Sequence, residues 1–82
     1  MERRYVYVLR VRHREANAAH LQALLTEHGA SIRMRLGMHE GGDMHDGVIL
    51  LHLCCKNDAA IALRDGLDGL RGIEFSALEL DV

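Results

Sequence analysis

The chain has 82 residues, 49% of them hydrophobic and 27% charged, with no proline; ten Lys and Arg against twelve Asp and Glu give a formal charge of −2. A chain of this length supports one core and leaves no surface for a second, so a single domain over 1–82 is expected. The apolar content excludes disorder, and the slightly acidic balance disfavours nucleic acid, which calls for a strongly basic surface. No run approaches the roughly 18 apolar residues of a membrane span, and the run behind Met1 meets Arg10 and Arg12 too soon for a signal peptide. The two cysteines, Cys54 and Cys55, are adjacent and cannot bridge on one strand, which fits a reducing cytoplasm.

Tyr5–Val11 is rich in β-branched and aromatic residues without a breaker, which predicts a first strand. From Arg14 to His28 the apolar residues Ala18, Leu21, Leu24 and Leu25 recur at helical spacing, and Gly29 is placed to close that helix in a left-handed conformation. Ser31–Met38 alternates strictly, so Ile32, Met34, Leu36 and Met38 are expected in the core and Ser31, Arg33, Arg35 and Gly37 on the opposite face. The Gly- and Asp-rich stretch 39–47 predicts a flexible hairpin loop. Val48–Cys55 is nearly continuous in apolar residues and reads as a central strand. Asn57 is a candidate cap for a second helix carrying Ala60, Leu63, Leu67 and Leu70, weakened by Gly66 and Gly69. Ile73, Phe75 and Ala77 then alternate until Leu78 and Leu80 change parity, which predicts a bulge or a strand end covered on both faces.

The order β-α-β-β-α-β predicts a ferredoxin-like α+β sandwich: a four-stranded antiparallel sheet with both helices on one side. The other side would then carry Val6, Val8, Arg10, Arg33, Arg35, Val48, Leu50, His52 and Cys54, an aliphatic centre with a cationic edge. A monomer rarely leaves such a patch in water, so a homodimer or tetramer is expected.

Arg33 and Arg35, projecting from one face of an edge strand, could hold a carboxylate or phosphate between two guanidinium forks, and an effector site is placed at Arg33, Arg35, Gly37 and His39. The commoner role of such a pair is an intersubunit ion pair or a solvated edge. His39, His45 and His52, with Cys54 beyond, offer the ligand types that nickel or zinc prefer. They lack compact ligand spacing, and solvated loop histidines are the commoner outcome. No nucleophile elbow, carboxylate dyad or phosphate-binding glycine loop is present, so no enzyme is expected.

Four segments, Arg4–Val8, Arg33–Met38, Lys56–Asp58 and Leu70–Ile73, resemble the ACT-like regulators of the iron-only hydrogenase system. More distantly the chain is similar to the C-terminal domain of nickel-responsive repressors. The first resemblance implies a regulatory or sensing module that oligomerises and binds a small-molecule effector at a subunit junction; it implies no reaction. The second implies metal binding by His39, His45, His52 and Cys54. With no ribbon-helix-helix segment before Tyr5, regulation would run through a separate DNA-binding or hydrogenase-maturation protein.

Overall fold

The computed structural model describes residues 2–39 and 46–80. They form β1 (Arg3–Val11), α1 (Arg14–Glu27), β2 (Ile32–His39), β3 (Gly47–Cys55), α2 (Asn57–Asp68) and β4 (Ile73–Leu80), with a 3-10 turn, Gly29–Ser31, between α1 and β2. The strands make one antiparallel sheet in the order β2-β3-β1-β4. Two interleaved β-α-β units take that order when each crossover is right-handed. The fold is ferredoxin-like.

Alternation along the two middle strands decides where the core sits. Tyr5, Tyr7, Leu9 and Val11 of β1 and Leu51, Leu53 and Cys55 of β3 are buried together with Leu21 and Leu25 of α1 and Ala60, Leu63 and Leu67 of α2. Tyr7 is fully buried. Its ring stacks on Phe75 with centroids 6.0 Å apart, and its hydroxyl donates to the Ala60 carbonyl at 3.5 Å. Gly66 lies against Leu24, so α2 continues through this glycine and stops at Asp68. Lys56, not Asn57, precedes the first turn of α2; Asn57 is already helical.

The end of α1 differs from the expected glycine cap. The His28 amide bonds the Leu24 carbonyl at 3.2 Å and the Ser31 amide bonds His28 O at 3.0 Å, so a tightened last turn satisfies the free carbonyls without a positive φ at Gly29. The left-handed glycine is Gly72, φ 73°, in the turn from α2 to β4. Its carbonyl accepts from the Arg12 amide at 2.8 Å, and Asn17 Nδ2 donates to Arg12 O at 2.6 Å. These contacts tie that turn to the start of α1.

Two expectations for the edge strands are overturned. In β2, Ile32 opposes Leu53, but Met34 opposes His52, so Arg33 is an extra residue in a bulge and the strand changes parity there. From Met34 onward the assignment is reversed: Met34, Leu36 and Met38 join Leu50 and His52 on the open face, while Arg35 and Gly37 face the helices. In β4 the pairing with β1 runs without a shift from Ile73 to Leu80, so no bulge explains Leu78 and Leu80. They lie in register with Val6 and Arg4 on the open face, where Leu78 is 60% exposed. The expected loop falls largely on residues 40–45, outside the described residues; β2 and β3 pair as far as His39 and Gly47.

Candidate functional site

Sending Gly37 toward the helices opens a space beneath α1. A Cβ built on Gly37 would meet nothing within 4 Å. The space is a cleft of about 260 Å³ between α1 and the paired ends of β2 and β3. Val11, Ala18, Leu21 and Ile49 supply apolar walls, Gly37, Met38, Gly47 and Val48 the strand side, and Arg14 and Gln22 the polar groups. Arg14 and Gln22 share the cleft because eight residues are just over two helical turns, which returns them to one face of α1. Beside the cleft the Arg35 guanidinium donates to Gln22 Oε1, fixing the amide that faces the cavity.

Asp46 precedes Gly47, one of the cleft residues, and anchors the start of β3. It is buried, accepts the His13 amide on Oδ1 at 3.0 Å and Arg10 on Oδ2 at 3.2 Å, and so joins the start of β3 to the turn before α1. His13 itself is held at φ 48° and ψ 59°. The His13 amide, and after it Arg10, hold the Asp46 carboxyl below its ordinary value, against a smaller opposing effect of burial. Gly47 and Arg14, the neighbours of these two residues in sequence, both line the cleft.

Of the residues the sequence singled out, Gly37 lines the cleft and Arg35 supports it through Gln22. Arg33 stands exposed at the bulge, parted from Arg35 by the change of parity, so the two do not form a fork. His52 lies on the open face in register with Val6 and Met34. Cys54 shares that face and donates from Sγ to Glu2 Oε2 at 3.3 Å, whereas Cys55 is in the core, where burial pushes its thiol up. His45 and the His39 side chain lie outside the described residues. Among the described residues no three His, Cys, Asp or Glu side chains converge as a metal would require, so nickel or zinc has no fitted site there. Arg14, Gln22 and Asp46 were not singled out from sequence. The signal available for the first two was their spacing of eight residues along α1, which returns them to one face.

No family model matches the chain, and no curated protein matches it. Solved structures do. An uncharacterized protein of Thermotoga maritima superposes with a TM-score of 0.89 at 25% identity, over 99% of this chain and 100% of that one. A protein of Pseudomonas aeruginosa gives a TM-score of 0.63 at 14% identity over 98% and 96% of the two chains. A formyltetrahydrofolate deformylase of Pseudomonas putida gives 0.61 at 9% identity. This chain covers 92% of itself in that match but only 28% of the deformylase. At these identities the last two share the fold alone, and the first brings no activity with it. No helix among the described residues is long and apolar enough to cross a membrane.

Proposed function

We propose that this chain is a small, self-associating regulatory module of the kind that serves the iron-only hydrogenase system, and that its effector is a small carboxylate seated between α1 and the β2–β3 pair. The observation that carries the reading is the cleft itself. Its volume of about 260 Å³ lies below the ~300–1,000 Å³ of drug-sized sites, which suits a ligand the size of an amino acid better than a nucleotide. One guanidinium at Arg14 matches a carboxylate, the Gln22 amide offers a second hydrogen bond, and Val11, Ala18, Leu21 and Ile49 receive an apolar remainder. Among the described residues the cleft walls carry a cation and an amide and no carboxylate, a lining suited to holding an anion.

The test is a thermal-shift and calorimetric screen against amino acids, short carboxylic acids and inorganic phosphate, with Arg14→Ala and Gly37→Val beside the wild type. Gly37→Val has open space for its Cβ and keeps the strand, but its side chain fills the cleft. A carboxylate should raise the wild-type melting temperature saturably and leave both variants unmoved. No response across the panel, or equal binding by the variants, overturns the proposal.

A further inference from the structure

We infer that the cleft selects carboxylates that lack an α-ammonium group, and that Arg35 sets this choice by holding the amide of Gln22. This rests on the carboxylate reading above and narrows it: the guest is a short apolar monocarboxylate and not an amino acid. The direction of one hydrogen bond comes first. A guanidinium carries donors and no acceptor, so the Gln22 atom that meets Arg35 has to be the amide oxygen. Arg35 stands beside the cleft, whereas Gln22 is part of its wall. With Oε1 turned to Arg35, the group that the amide presents to a guest is Nε2, a donor.

The rest of the polar wall has the same sense. Arg14 offers donors alone. The strand residues Gly37, Met38, Gly47 and Val48 hold their carbonyls in the plane of the sheet, across the β2–β3 pair or off its edge, and the carbonyls of α1 run along the helix to the amide four residues on. Asp46, next to the wall in sequence, commits Oδ1 to the His13 amide and Oδ2 to Arg10. Among the described residues the wall therefore presents side-chain donors to the cleft and no carboxylate to receive a cation. A carboxylate has acceptors only and is complementary to it. An α-ammonium adds three donors that leave water to face a like charge at Arg14 and the Gln22 Nε2, with nothing to accept them. Arg35 acts as a positioning residue: without it, the Gln22 amide can turn Oε1 into the cleft and accept from an ammonium.

The experiment is isothermal titration calorimetry on the full chain with three matched pairs: propionate and alanine, isovalerate and valine, isocaproate and leucine. The members of each pair differ by the α-ammonium alone. Wild type is compared with Arg35→Met, which removes the donor, and Gln22→Glu, which sets a carboxylate in place of the amide. Both positions are exposed, and each variant is checked for native circular dichroism. In the wild type the acid of at least one pair should bind about 100-fold more tightly than its amino acid, the order expected for a charged group desolvated without a partner. Arg35→Met should narrow that gap about tenfold by raising the affinity for the amino acid, the size of one hydrogen bond regained, and Gln22→Glu should reverse the preference. Tighter amino-acid binding is a gain that damage to the fold would not give. Equal or tighter binding of the amino acids by the wild type overturns this inference and leaves the carboxylate site standing. A gap unchanged in both variants overturns the part given to Arg35. Binding of none of the six probes overturns the carboxylate reading itself.

Discussion

Asp46 makes the acid sensitivity of this chain predictable from one side chain. Its carboxyl titrates below its ordinary value when folded, chiefly through the His13 amide and then through Arg10, so the contribution is fully present above about pH 4 and is lost as pH falls through the folded value. Thermal melts between about pH 3 and pH 7 should show a steep acid limb in the wild type and a shallower one in Asp46→Asn. Gly72 gives a second test. At φ 73° an added Cβ would lie 2.3 Å from Asn17 Nδ2 and 3.1 Å from Arg12 O. Gly72→Ala should therefore cost about 1–3 kcal/mol, read as a loss of several degrees in the melting temperature. The residue scale is also where the sequence was least legible. Strict alternation from Ile32 to Met38 is unchanged by an extra residue at Arg33, because a bulge moves which face each class occupies without altering the period. Nothing in the letters of β2 marks that shift; the pairing with His52 decides it.

Whole elements were easier to read, because burial of one stripe leaves a periodic mark. The continuous apolar runs of β1 and β3 anticipate the two middle strands, and the spacing of Ala60, Leu63 and Leu67 anticipates the buried side of α2. That stripe gives a graded prediction. Leu67→Ala, at a position with no exposed surface, should cost about 2–5 kcal/mol, whereas Ile61→Ala on the outer side of α2 should cost less than about 1 kcal/mol in chemical denaturation. The ends of elements were read less well. The first helix closes through a 3-10 turn because His28 and Ser31 find carbonyl partners locally, which removes the need for a left-handed Gly29. The cleft was half legible for a related reason. Gly37 and Arg35 were singled out on β2, but which side of that strand meets α1 is a property of the sheet register, so Arg14 and Gln22 could not be joined to them from spacing alone.

At the level of the whole molecule, a fold that leaves Leu36 and Leu78 half exposed should behave differently with dilution. If two copies cover these side chains, the melting temperature rises with protein concentration, by mass action, and the Leu78→Glu variant loses that dependence. A constant melting temperature from about 1 to about 100 µM would speak against association. Met38 and Val48 line the cleft, yet alternation sets both among the side chains of the opposite surface. If the proposed effector occupies the cleft and a second copy covers the open face, a single peptide layer lies between them. Were binding on one side to change the affinity on the other, the change would be reciprocal. Such coupling would give effector titrations on dilute and on concentrated samples different apparent affinities.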